Sequence, residues 1–135
     1  MLTSSLLLSA VTYTMISIPS IGFREPVFHC PMGNRNSIQG CVDRNRAVLH
    51  PSVNAILAHD NVVFPDKLLT KVKAGDKFRF GRSRYKVYDV RIVQAEEVWV
   101  LDGIPDDEIR IQTCYSDDPN EYPAKRRVIV FAKKI

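Results

Sequence analysis

The C-terminal half of the chain repeats one signal, apolar residues at every second position in short runs. "KFRFG", "YKVYDVRIVQ", "EVWVL", "EIRIQTCY" and "KRRVIVFAKKI" send successive side chains to opposite sides, the period of a half-buried strand and not of a helix. They are rich in β-branched and aromatic residues and are separated by short turn signals such as "GRSR", "DGIPDD" and "DDPNEYP", which reinforces the strand reading. Strands at this even spacing, with few helices between them, imply a sheet that closes on itself or a face-to-face sandwich. The expected fold class is all-β, with one or two short helices.

The first half adds elements of the same kind. "TMISIPSIGF" and "EPVFHC" read as strands around a Pro/Gly turn, and a Gly/Asn/Arg-rich connection, "PMGNRNSIQGCVDRNRAVLHP", follows. "SVNAILAHD" is a compact apolar strand ending in His59 and Asp60. The clearest helix is "FPDKLLTKVKAGD", where Phe64, Leu68, Leu69 and Val72 share one face, Pro65 suits the first turn and Gly75 the end. Phe78, Phe80, Tyr85, Tyr88 and Trp99 are expected in the core.

A chain of 135 residues is enough to close one core without metals or staples. Residues 14–135 are read as a single domain and residues 1–13 as a short N-terminal segment, a remnant of an anchor. The uncharged run "LTSSLLLSAVTYTMISIPSIGF" lacks a basic flank and meets Pro19 and Gly22 before an apolar span of ~20 residues is complete. Nine basic residues between Lys67 and Arg91 concentrate the net charge of +4. Such a cluster suits nucleic acid, anionic lipid or an acidic wall polymer, and equally a solvated face. Three cysteines leave at least one thiol free in a monomer; Cys30 and Cys41 are near enough in sequence to pair in an oxidising compartment, though spacing alone does not establish it. No Cys/His set has zinc-ligand spacing.

Thiol catalysis needs a sulfur that ionises, an acid or base for the leaving group, and a donor for the oxyanion. Cys114 closes an alternating strand, His59 ends an apolar one, and Arg126 and Arg127 open the last strand. Alternation allows only one of the two arginines to share the face of Cys114 if their strands pair. Taken singly, each has a structural reading: a buried cysteine, a strand-end histidine, a solvated basic pair. His29 and His50 sit in or beside turns and are expected at the surface.

In order and spacing these segments resemble the sortase family, the cysteine transpeptidases that attach proteins to the bacterial cell envelope. The likeness runs from about residue 14 to the C-terminus. "ISIPSIGFREPVFHC" is similar to the family's opening strands, "SIQGCVDRN" to its following helix-like segment, and "SVNAILAHD" to the strand that ends in its histidine. "LLTKVKAGDKFRF" with "YKVYDV" resembles its helix and next strands, "IRIQTC" its TLxTC motif, and "KRRVIVFA" its Arg-bearing final strand.

The resemblance implies a closed, sortase-like β-barrel of about eight strands. It makes Cys114 the nucleophile, His59 the catalytic histidine and Arg126 or Arg127 the oxyanion or substrate-positioning arginine. Ala58, Ile111, Thr113, Val128, Ile129 and Val130 are the implied substrate-binding residues. The implied partners are a sorting-signal peptide of secreted surface proteins and an amine from a cell-wall precursor or a pilin lysine, without nucleic acid. The implied place is the extracytoplasmic face of the bacterial membrane, with tethering by a segment absent from this sequence. No cofactor or metal is expected; Asp102, Asp106, Asp107 and Glu108 make at most half of a calcium site, since hard cations need oxygens from several segments.

Four features depart from the family pattern. Ala58 replaces the usual glycine before the histidine, Asp60 follows it, Arg110 stands at the first threonine of TLxTC, and "DGIPDDE" is short. They bear on substrate choice more than on chemistry. The rival reading is a small basic β-barrel binding module, because "KFRFGRSRYKVYDVR" interleaves aromatic and basic residues as single-strand nucleic-acid grooves do. The same alternation would turn those aromatics inward, away from bases.

Overall fold

The computed structural model describes residues 12–30, 46–50, 52–59, 63–97, 101–115 and 124–135. Eight strands make the fold: β1 (Tyr13–Ile18), β2 (Phe23–His29), β3 (Ala47–Leu49), β4 (Ala55–Ala58), β5 (Lys77–Phe80), β6 (Ser83–Gln94), β7 (Glu108–Tyr115) and β8 (Arg126–Lys134). They close into a barrel in the order β1-β2-β3-β4-β7-β8-β6-β5. The all-β, closed-barrel expectation therefore holds.

Alternation builds the wall. On β7, Ile109, Ile111 and Thr113 are buried, and on β8 so are Val128, Val130 and Ala132; with Ile16, Ile18, Val27 and Ile56 they form the interior. Each large aliphatic side chain buried there stabilises the fold by about 1.5–3 kcal/mol. β8 departs from simple alternation because its outer residues are covered too. Ile129 and Phe131 pack with Val93 and Leu101 into a second, smaller cluster, so the strand reads "VIVFA", apolar on both sides.

Most neighbours are antiparallel, but β2–β3 and β4–β7 run parallel, and each such step needs a long crossover. The β5–β6 hairpin turns through Gly81 and Arg82, with Phe80 opposite Ser83. Gly81 has a φ of +61°, and a Cβ there would meet Thr14 Cγ2 at 2.8 Å. Glycine is thus required by both backbone and neighbour, in the position a II′ hairpin turn favours.

Several element readings are corrected. The expected helix around residue 70 is a 3-10 helix, Pro65–Lys71, with Pro65 at its start and Val72 already extended. Lys67 at φ 57° interrupts any α-helical run, while Phe64, Leu69 and Val72 remain buried against the barrel. β3 lies inside the stretch read as a connection, where three residues pair with β2 and β4; so short a run carries no period. Tyr88 is about half exposed, not core, because Tyr85 and Val87 on either side of Lys86 point inward and strand alternation turns Tyr88 outward. Phe78 and Tyr85 are buried and stacked at 5.4 Å, as expected. Residues 98–100 of "EVWVL", Trp99 among them, and all of "SIQGCVDRN" lie outside the described residues.

Candidate active site

Because Thr113 faces the interior, Cys114 faces outward, and it is half-buried. β8 runs antiparallel beside β7 with Arg127 directly opposite Cys114 and Arg126 opposite Tyr115. Directly opposed residues share a face, with Cβ atoms about 4.5–5.5 Å apart, so Arg127 stands beside the thiol and Arg126 does not. The Arg127 guanidinium donates through Nη1 to the carbonyls of Ala124 and Arg126, both at 2.9 Å. These bonds hold it at the strand entrance. Arg126 instead lies over the Tyr115 ring at 4.9 Å, and the Lys67 ammonium lies 5.2 Å from the same ring.

β4 approaches β7 from the other side, in parallel, with Ala58 opposite Thr113 as their last pair. Half-buried His59 is the first residue after β4, and Cys114 the first after Thr113 on β7, so the chain leaves β4 at the end of the sheet where Cys114 stands. The His59 carbonyl accepts the Val63 amide at 3.3 Å, which starts the chain's turn toward the 3-10 helix. Thiol, imidazole and guanidinium thus come from β7, from the residue that follows β4 and from the start of β8, three neighbouring segments at one end of the barrel.

The other sequence-derived candidates divide. Ile111, Thr113, Val128 and Val130, expected to bind substrate, point into the core, because alternation puts them on the opposite side of the sheet from Cys114. Ile129 lies on the outer face, within the smaller apolar cluster, and Ala58 is partly buried against the main core. Thr113 Oγ1 is buried without a hydrogen-bond partner.

On the rest of the Cys114 face, sequence reasoning passed over Gln112 and read Arg110 only as a departure from the TLxTC motif. Gln112 and Arg110 follow Cys114 on that face, opposite Ile129 and Phe131; counting back by two from the cysteine finds them. Arg110 is 7% exposed. Its Nη1 donates to Glu108 Oε1 at 2.8 Å, its guanidinium lies 4.5 Å from the centre of the Phe131 ring, and its Nε has no partner. The Tyr88 hydroxyl donates to the same Glu108 oxygen at 2.5 Å. Burial by itself pushes the Glu108 carboxyl up, but the hydrogen bonds from Tyr88 and Arg110 and the charges of Arg110 and Lys133 outweigh it, holding the group below the usual carboxylate range. Asp107 pairs with Lys133 at 3.7 Å. Among the described residues no three His, Cys, Asp or Glu side chains gather in a metal-binding group.

His29 is exposed and its Nε2 lies 2.7 Å from the Thr14 hydroxyl. His50 accepts the Ser52 and Val53 amides at Nδ1, at 3.0 and 3.3 Å, and burial lowers its pKa. Cys30, buried just after β2, is disulfide-bonded, while Cys41 lies outside the described residues. No helix among the described residues is long and apolar enough to cross a membrane.

The Sortase domain family matches residues 16–135. The chain belongs to the sortase family. Solved sortases share its fold. Listeria monocytogenes sortase A is 22% identical with a TM-score of 0.69, covering 94% of this chain and 88% of its own. The SrtA sortase from Actinomyces oris is 19% identical with a TM-score of 0.67, covering 93% and 81%. Clostridium perfringens sortase C, solved with the C-terminal cell wall sorting motif, is 23% identical with a TM-score of 0.62, covering 90% and 69%. No functionally curated sequence matches the chain. In this sortase the barrel order puts β7 between β4 and β8, so residues far apart in sequence meet at Cys114.

Proposed function

We propose that this sortase cleaves a sorting-signal peptide through a thioester on Cys114 and transfers the acyl part to an amine at the cell envelope. The reading rests chiefly on the cross-strand pair of Cys114 and Arg127, with His59 the residue that follows β4, whose last pair is Ala58 with Thr113. The Cys114 thiolate attacks the scissile carbonyl carbon, and the Arg127 guanidinium stabilises the oxyanion. His59, as imidazolium, gives its proton to the departing amine as the C–N bond breaks. An amine of a cell-wall precursor, a pilin lysine or water then attacks the thioester, its proton returns to His59, and the thiolate is regenerated.

Arg127 takes this role over Arg126 because only Arg127 shares the thiol's face, Arg126 being turned to Tyr115. An extended peptide entering beside Cys114 would run along Gln112 and Ile129. Ala58 remains a substrate-side candidate beside His59. Sortases generally act at the cell surface, and a disulfide at Cys30 fits an oxidising compartment.

The test is intact-protein mass spectrometry after incubation with a small set of sorting-signal peptides. The expected result is an acyl adduct mapping to Cys114, absent in Cys114→Ala and removed by added amine. Peptide cleavage that persists in Cys114→Ala would overturn the proposal.

A further inference from the structure

In the eight-strand ring, β1 lies four strands from β7 in either direction, so the outer wall around β1 and β5 is the one farthest from Cys114. Ser17 on β1 pairs with Arg24 on β2 and with Arg79 on β5, and Arg79 pairs with Arg84 on β6. These four side chains form one row across four strands. Two residues along β5 on the same face, Lys77 stands opposite Lys86. The row borders an open groove of about 540 Å³, with Met15 and Ser17 in its lining together with Arg24, Lys77, Arg79 and Arg84.

Among the described residues no carboxylate pairs with those four cations. The nearby acid in sequence, Asp76, accepts the Ser20 hydroxyl and the Lys73 amide. Like charges directly opposed across a sheet work against it, so the facing pairs Arg79/Arg84 and Lys77/Lys86 weaken the strands they join. A bound anion relieves that repulsion.

The rim of this wall is apolar. Tyr13 shares the outer face of β1 with Met15 and Ser17 and is 56% exposed. Ile135, also 56% exposed, donates its amide to the Arg84 carbonyl at 2.9 Å. The eleven residues "MLTSSLLLSAV", just ahead of β1, carry no charge. Cations flanked by an exposed tyrosine and an aliphatic side chain suit a lipid interface, where phosphates meet acyl chains. A phosphate polymer would use the cations and leave the apolar rim idle. Phe78 lines the groove, but it is 3% exposed and its ring is stacked on that of buried Tyr85, so it offers bases no open platform.

We propose that this wall docks on an anionic lipid surface, with headgroup phosphates in the groove and Tyr13 and Ile135 at its apolar edge, so that Cys114 faces away from the lipid. The inference is independent of the peptide chemistry proposed above.

The test is co-sedimentation of the full chain with phosphatidylglycerol/phosphatidylcholine vesicles, with pure phosphatidylcholine vesicles as the neutral arm. Binding is expected only to the anionic vesicles, weakening about tenfold or more in an Arg79→Gln/Arg84→Gln variant, and less in a charge-matched Lys71→Gln/Lys73→Gln control. Thermal unfolding of the arginine variant should match or exceed that of the parent, because a repulsive pair is removed; should it not fold, Arg24→Gln serves the same comparison. Iodoacetamide should label Cys114 on vesicle-bound protein as fast as on free protein. Equal losses in the two double variants, tighter binding to soluble polyphosphate or to a single-stranded oligonucleotide, or protection of Cys114 by vesicles would overturn the proposal.

Discussion

Arg126 and Arg127 differ by one position and by a whole environment. Arg127 stands opposite the Cys114 thiol and is steadied by two carbonyls, whereas Arg126 covers Tyr115. If Arg127 supplies the oxyanion donor, Arg127→Ala lowers the rate of peptide cleavage by about 10²–10³, the ordinary cost of losing one such donor. Arg126→Ala should change it by only a few-fold. Steady-state kinetics on one peptide compares the two directly, and equal losses would reject the assignment. From the local string alone the pair is ambiguous, because either arginine continues an alternating strand; the register between β7 and β8 separates them. His59 and Cys114, by contrast, are legible as candidates from the order of short motifs, each ending its own apolar run.

Among the elements, β7 has two working faces. Its inner residues belong to the core, and its outer row ends in the buried arrangement of Arg110, Glu108, Tyr88 and Phe131. Arg110 and Glu108 side chains are only 9% and 15% exposed, so removing one partner strands the other charge. Glu108→Ala should destabilise the protein by roughly 2–4 kcal/mol at neutral pH, read by denaturant unfolding. The Glu108 carboxyl is held below its usual range in the fold, so its contribution is fully present above the unfolded value of about 4.5 and is lost as pH falls through the lower folded value. The Glu108→Ala variant should therefore show a flatter stability-versus-pH curve on the acid side than the parent; an unchanged curve would contradict the linkage. The alternation of "EIRIQTCY" identifies β7 with its bounds intact. It does not foretell that Tyr88 of β6 reaches Glu108 from the far side of β8, since the pattern of one strand carries no record of which strands lie beside it.

At the scale of the whole molecule, the barrel brings β4, β7 and β8 side by side although long stretches of chain separate them. Ile111 sits on the inner face of the central strand, fully buried. Ile111→Ala should lower stability by about 2–5 kcal/mol, the transfer and cavity cost of such a truncation, with a fall in Tm by calorimetry. A loss below 1 kcal/mol would mean that the inner face is less tightly packed than described. The amino-acid sequence by itself determined that the protein is built of strands, because a two-residue period commits each run to two opposite faces. It also marked the cysteine, the histidine and the arginine pair, through residue types and their order. Which face of each strand turns outward, which arginine stands opposite the cysteine and where the basic row gathers were decided only by the tertiary structure. Those outcomes depend on strand register and barrel closure, set jointly by residues far apart along the chain.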